Sequence, residues 1–463
     1  LNRTRLLTFR DHLTMNDTAK FVQGKLLRHI VVMSTTSAVG LMSIFFVDLL
    51  DMFFISLLGD PDLVAGIGIA GTLTFLVTSI SIGTSIAAGA LVSKSVGAKQ
   101  VQKAREYAVN VLLIAALISI GSIAVVMLYL DQLIALMGAK GNVAASAREY
   151  LILVVPSSVF LALGLGASAV LRAVGDARGS MMSTLTGAVV NAVLDPIFIF
   201  ALDLGVTGAA IASVFARVTI FIYAMNRVHS KHKLFTRPNW LNFRQDTGPI
   251  LNIALPAMLT NAATPLANAY VMASLAVFGS GYVAGYAVIG RLIPVCFAFV
   301  FSLSGSVGPI LGQNFGAGSW ARVQRALSDA HLINIAFCVA MSVLLLIGQN
   351  IIINLFKFDG QAADLIILFC NFIAISFIFN GMLFVSNAAL NNLGSPRISS
   401  ALNVGKASIG TVPFVLVGAH FWQAGGVLIG QAIGSVLFGV LGYAMVKVKV
   451  ARMRKEHETA QLT

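Results

Sequence analysis

Polar and apolar positions fall along this chain in long blocks rather than in short periods. Apolar runs of about 20 residues or more can each cross a hydrocarbon core of roughly 30 Å. They predict helices near 30–58, 63–93, 107–130, 148–172, 181–202 and 206–228. A second set is predicted near 248–279, 282–312, 326–350, 363–391, 398–419 and 424–446. The split within 181–228 rests on the break at Asp203–Gly205. The pattern therefore reads as an all-α membrane protein with twelve transmembrane helices.

The polar connections set an orientation. Lys and Arg concentrate in every second connection, as expected of cytoplasmic loops. The opening segment holds Arg3, Arg5, Arg10, Lys20, Lys25 and Arg28, whereas the next connection, GDPD, is acidic. Lys94, Lys99, Lys103 and Arg105 follow, then Arg172 and Arg178, then the basic linker NRVHSKHKLFTRPNWLNFRQD. Arg322, Arg325, Arg397 and the tail VKVKVARMRK continue the alternation. Both termini are expected in the cytoplasm. The opening segment lacks an apolar signal core, so the first run is read as a retained helix.

The chain also resembles itself. LVSKSVGAKQVQKA at 91–104 matches ILGQNFGAGSWARV at 310–323, and LRAVGDARGS at 171–180 matches LNNLGSPRIS at 390–399. LVAG at 63–66 pairs with YVAG at 282–285, and all three alignments share an offset of 219 residues. Six spans per half bring both halves in from the same side. This predicts two six-helix bundles related by a pseudo-two-fold axis along the membrane normal, with a cavity between them. The organisation is a cytoplasmic segment at 1–28, an N-lobe at 29–230, a linker at 231–246, a C-lobe at 247–450 and a tail at 451–463.

Composition narrows the function. The chain is 57% hydrophobic and 11% charged, against roughly 25% charged for soluble domains. The net charge of +13 sits in short clusters between apolar runs, which argues for loops rather than for a nucleic-acid partner. Cys296, Cys338 and Cys370 lie singly in separate runs and suggest neither a metal site nor a disulfide framework. GIGIAG at 66–71 has dinucleotide-loop spacing but lies inside an apolar helix, where small residues serve close packing. No cofactor is expected, and the chain is read as a transporter rather than an enzyme.

Only Asp48, Asp51 and Asp195 place carboxylates clearly within spans, and an acid at that depth normally faces a cavity or a partner. Asp51 precedes Gly59 by eight residues, about 12 Å of helix, and Asp195 precedes Asp203 by the same interval. The two should therefore share a depth. Burial disfavours the charged form and one carboxylate disfavours another, so such a pair can take up a proton near neutral pH. Asn191, one turn before Asp195, faces the same way, and Pro196 invites a bend. The structural alternative pairs these acids with Arg217, midway along the sixth span. Asp48 is equally open to a packing role. Arg291 and Lys406 lie in spans of the second half, where Arg291 is a possible functional cation and Lys406 can snorkel toward the cytoplasm.

Several motifs in order then resemble the MATE (multidrug and toxic compound extrusion) family. They are LLDMFFISLLGD at the end of the first span, LRAVGDARG after the fourth, NAVLDPIFIF with GVTGAAIAS, and GPILGQNFGAG in the second half. The resemblance covers essentially the whole chain. It implies a multidrug efflux antiporter of the bacterial inner membrane, exporting small amphipathic, mostly cationic compounds in exchange for H⁺, with Na⁺ as the other possible coupling ion. Lipids surround it, and it is expected to act as a monomer. The resemblance puts a hydroxyl at Ser213 beside the acidic pocket. The chain departs from the family in two places. Its seventh span has no acid, and its tenth has only Asp364 at the outer end and Asn380 deeper in, so coupling falls on the first-half acids. The family's first-span proline is Thr36 here, leaving Gly40 as a candidate bend. A lipid-linked oligosaccharide flippase of the same superfamily is the alternative.

Overall fold

A bilayer core offers no water to unpaired backbone groups, so a chain this apolar must satisfy its own N–H and C=O groups within helices. The computed structural model describes residues 19–356 and 359–462, and the described residues are almost wholly helical. After a short 3₁₀ turn at Lys20–Val22 come α1 (Leu26–Ser56), α2 (Pro61–Gly97), α3 (Val101–Leu128), α4 (Leu130–Leu136), α5 (Gly141–Val154) and α6 (Ser158–Ala173). Next are α7 (Ala177–Pro196), a π-helical turn at Ile197–Ala201, and α8 (Gly205–Ser230). The second half comprises α9 (Trp240–Ala276), α10 (Ser280–Cys296), α11 (Ala298–Gly316), α12 (Trp320–Phe356) and α13 (Gly360–Leu368). A π turn at Phe369–Ile373 and a 3₁₀ turn at Ala374–Ser376 lead into α14 (Phe377–Asn392), then α15 (Pro396–Ala407) and α16 (Val412–Leu462).

Among the described residues nine helices are long and apolar enough to cross a membrane, or up to eleven if each of two bent pairs is one span. The pairs are α5 with α6, bent by 53°, and α10 with α11, bent by 46°. Large apolar side chains on helix faces, such as Phe46, Leu117 and Ile347, are exposed, as lipid contact requires. The molecule is an integral, multi-pass membrane protein.

The 219-residue repeat reappears in the helix boundaries. Helices open at Pro61, Val101, Gly141 and Ala177, and again at Ser280, Trp320, Gly360 and Pro396. The mid-span breaks repeat as well: residues 155–157 separate α5 from α6, and Ala374–Ser376 separates α13 and its π turn from α14. The first break contains Pro156, which removes a backbone donor.

The run Pro396–Ala460 is continuous by hydropathy, yet it doubles back. Trp422 and Gln423 leave helical geometry inside α16, Gln423 with φ of 51°. Across that corner Gly418 faces Gly426, Phe414 faces Gly430 and Gly410 faces Gly434. A Cβ on Gly426, Gly430 or Gly434 would strike the opposite backbone, so glycine is what lets the two arms touch.

The contacts divide the described residues into two compact units. The first comprises residues 19–20 and 39–258; the second comprises 21–38 and 259–462. The division falls inside α1 and inside α9. In the first unit, small side chains such as Ala87, Ala88, Ala108, Ala167 and Ala224 pack one end, and larger ones such as Ile55, Leu151 and Ile199 the other. The second unit is built around Phe297, Phe369, Leu275 and Ile289. Its portion of α1 is anchored by the sequence that precedes it: Phe21 N–H donates to Gln313 Oε1 at 2.9 Å, and Asn314 Nδ2 donates to Phe21 O at 3.1 Å. Arg322 donates to the carbonyls of Phe21, Gln23 and Gly24.

Candidate functional site

α7 carries a stripe of buried residues one turn apart, Ser183, Gly187, Asn191 and Asp195. Gly187 lies against Ile220 and the Ala216 carbonyl of α8, leaving no space for a side chain. This close approach sets the polar end of the stripe within the first unit. Asn191 Nδ2 donates to Asp51 Oδ1 at 2.8 Å and to Asp195 Oδ2 at 2.6 Å. One carboxamide thus bridges two carboxyl groups 144 positions apart in sequence, on α1 and α7. The carboxyls themselves come within side-chain hydrogen-bonding reach of each other. Asp195 is fully buried, and no donor among the described residues reaches its Oδ1. Two carboxylates both accept, so only a proton on one can join them.

The remaining first-half candidates take other positions. Ser213 Oγ pairs with the Tyr150 hydroxyl at 3.2 Å. Arg217 donates to Val154 O at 2.7 Å, to Ser158 Oγ at 3.0 Å and to Ser157 Oγ at 3.2 Å. These are the groups at the break around Pro156, so Arg217 supplies donors to a helix end that lost its own, where a cation is also favoured by the helix dipole. Pro196 is followed directly by the π turn at Ile197–Ala201, the local departure from α geometry that its missing N–H invites. Thr36 donates to Val32 O one turn earlier at 2.6 Å, within a continuous α1. Gly40 packs on α7, where an added Cβ would stand 2.6 Å from Thr184 Oγ1. The backbone of Asp48 lies in α1; its side chain lies outside the described residues.

In the second unit, Lys406 does not snorkel away as its place in the sequence suggests. It donates to Asn380 Oδ1, joining α15 to the buried Asn380 of α14. An inward carboxamide within reach offers the ammonium a partner without the long path to a loop. Arg291 is exposed on α10.

Sequence reasoning passed over a charged knot at the start of α7. Asp176 caps that helix through the Gly179 amide and accepts from His232 at 2.8 Å, Arg227 at 2.9 Å and Lys231 at 3.1 Å. Burial alone would raise its carboxyl, but the bonds from His232, Arg227 and Lys231 outweigh it and hold the group well below the usual carboxylate range. The loop motif LRAVGDARGS with the basic linker carried the signal. Asp246 is a second such anchor, accepting from Lys103 at 2.6 Å and from Asn110 at 2.8 Å.

Comparison with known proteins places this geometry. The family model MatE matches residues 37–197 and 256–417. An FAD transporter of Shewanella oneidensis is 27% identical over 94% of this chain and 97% of its own. The multidrug export protein MepA of Staphylococcus aureus is 26% identical over 89% of this chain and 91% of its own. A variant of the Vibrio cholerae MATE transporter VcmN superposes with a TM-score of 0.88 at 24% identity, covering 92% of this chain and 97% of that one.

Proposed function

Since the chain belongs to the MatE family, we propose that it is a secondary active exporter of amphipathic, mostly cationic drug-like compounds, driven by inward movement of H⁺. The observation that carries this reading is the Asp51–Asn191–Asp195 bridge with its undonated Asp195 oxygen. With both acids charged, Asn191 bridges them and the site carries a buried negative charge that is costly at membrane depth. Adding one proton supplies the missing donor and lets the carboxyls pair directly. Such a change draws α1 against α7 and alters the room left for cargo, so proton uptake and cargo release are linked as two states of one element. Ser213 of α8 and Tyr150 of α5 contribute a second polar pair to the first unit. Na⁺ is the alternative coupling ion, with the same carboxylates as ligands.

The reading includes twelve spans. The break at Gln423 and the facing glycines support counting Pro396–Ala460 as two, which adds one to the eleven. Two six-helix bundles, cytoplasmic termini, the plasma membrane and a monomer complete it. The named relatives differ in cargo, one an FAD transporter and one a multidrug exporter, so the charge of the cargo is a separate question.

The test is ethidium transport into inside-out proteoliposomes under imposed H⁺ or Na⁺ gradients. Transport driven by H⁺ in the wild type and lost in Asp51→Asn is expected. Equal, pH-independent transport by Asp51→Asn would overturn the coupling role, and drive by Na⁺ alone would reassign the ion.

A further inference from the structure

The second unit contains a polar group that the acid pair does not use. Lys406 lies ten residues into α15, about 15 Å along the helix and so near the middle of a core roughly 30 Å thick. Its partner is neutral. Among the described residues it donates to Asn380, and no carboxylate stands within salt-bridge distance. A half-buried ammonium held only by an amide retains donors for an anion.

The surroundings are built around that position. α15 ends one residue later, and the chain runs through a non-helical turn before α16, with Ser408 and Ile409 exposed. Irregular backbone at this depth is tolerated where it is buried in protein or borders a water-filled path, and broken helices of this kind form cargo sites in secondary transporters. Thr411 Oγ1 donates to Lys406 O at 2.8 Å and ties the turn back to the lysine. On α14, Phe377 and Phe384 flank Asn380 one turn to either side, on the same helix face. Both are set by neighbours: Phe377 stacks on Phe297 at 4.1 Å, and Phe384 meets Phe301 at 5.4 Å. The amide that holds the ammonium thus shares a helix face with two fixed aromatic rings, a combination that suits a flat aromatic compound bearing an acidic group.

We propose that Lys406, held by Asn380, is an anion-recognition subsite of the exporter, binding the phosphate or carboxylate of an aromatic cargo in the second unit while the acids of the first unit handle the proton. This deepens the export reading and rests on it.

The experiment compares four cargoes in the same proteoliposomes: FAD and carboxyfluorescein as aromatic phosphate and carboxylate, riboflavin as the uncharged ring, and ethidium as the cation. The readout is the ratio of each anion's initial rate to ethidium's, in wild type, Lys406→Met and Lys406→Arg. The expected result is a fall of about tenfold or more in the FAD or carboxyfluorescein ratio for Lys406→Met, the scale of one lost charge-assisted hydrogen bond. Lys406→Arg should restore most of it, and the riboflavin ratio should stay within about twofold. Which anion responds identifies phosphate or carboxylate. Equal loss for every cargo would make Lys406 a helix-end support and overturn the proposal, as would unchanged anion ratios or a wild type that moves only ethidium. A wild type that moves none of the four would overturn the export reading itself, which separates the two failures.

Discussion

The two units share a repeat and divide its chemistry. Counting 219 residues on from Asp51, Asn191 and Asp195 arrives at Tyr270, Gly410 and Phe414. Counting back from Asn380 and Lys406 arrives at Leu161 and Gly187. Each unit thus places uncharged residues at the positions where the other carries charge. Gly410 and Phe414 belong to the hairpin contact with Gly434 and Gly430, whereas Gly187 admits α8 to α7. The helix breaks differ in the same way. At residues 155–157 the open carbonyl of Val154 is met by Arg217, while past Ala374–Ser376 the carbonyl of Ile378 is met at 2.8 Å by Asn334. A duplicated scaffold need not duplicate its site. Geometry is kept where packing requires it, and charge is kept in one copy because a second buried acid pair would add its desolvation cost without adding a function.

The contrast can be broken most severely in the hairpin. Gly434→Leu should prevent accumulation of folded protein, because its side chain would enter the Gly410 backbone. The repeat-related change, Phe215→Leu at a half-exposed position, should be silent; size-exclusion profiles in detergent compare them. Next in effect, Asp51→Asn and Asp195→Asn should each lower proton-driven efflux by about a hundredfold, on the scale of losing an essential proton-transfer group. Tyr270→Phe, at the position equivalent to Asp51, should remain within about threefold in the same vesicle assay. Smaller again, Arg217→Met should destabilise the first unit by about 2–3 kcal/mol, and Asn334→Leu the second by about 1 kcal/mol, since a charged donor is lost in one case and a neutral donor in the other. Thermal melts in detergent should rank them in that order.

The last effect is read against pH. Asp176 has a lowered folded-state pKa, so its contribution is fully present above the ordinary carboxylate range of about 4. It is lost as pH falls through the folded value. Asp176→Asn should therefore melt below the wild type at pH 7, by about 1–2 kcal/mol in stability. The gap should narrow progressively as the pH is lowered below about 4. A gap that widened in acid would reverse the sign and remove the charge argument.

Much of this was legible in advance. Hydropathy marked an all-α, multi-pass membrane protein, and the 219-residue offset anticipated helix starts that recur to the residue. Asn191 and Asp195 could be placed on one face by helical spacing alone, and Asp51 at their depth by counting from the helix end. Other features had no local signature. Pro156 marks one mid-span break, but its counterpart at Ala374–Ser376 has no proline, and its partner Asn334 lies 44 residues from Ile378. Arg217 could not be separated from the acids by sequence, because the carbonyl it serves becomes free only once the fourth span breaks. Lys406 read as a snorkelling residue because its amide partner sits on another helix. The corner at Gln423 falls in the gap between the spans predicted near 398–419 and 424–446, although nothing local in that gap marks a reversal of direction.

The anchoring of Phe21–Gly24 by Gln313, Asn314 and Arg322 has a consequence for measurement. Residues 21–38 belong to the second unit although the next stretch of α1 belongs to the first. A fluorophore or spin label on the exposed Gln23 should therefore report the motion of the second unit, even though chain order assigns it to the first. Distance changes recorded from that site during turnover should track a label on α12 as a fixed pair, and a label beyond Gly40 should supply the moving reference.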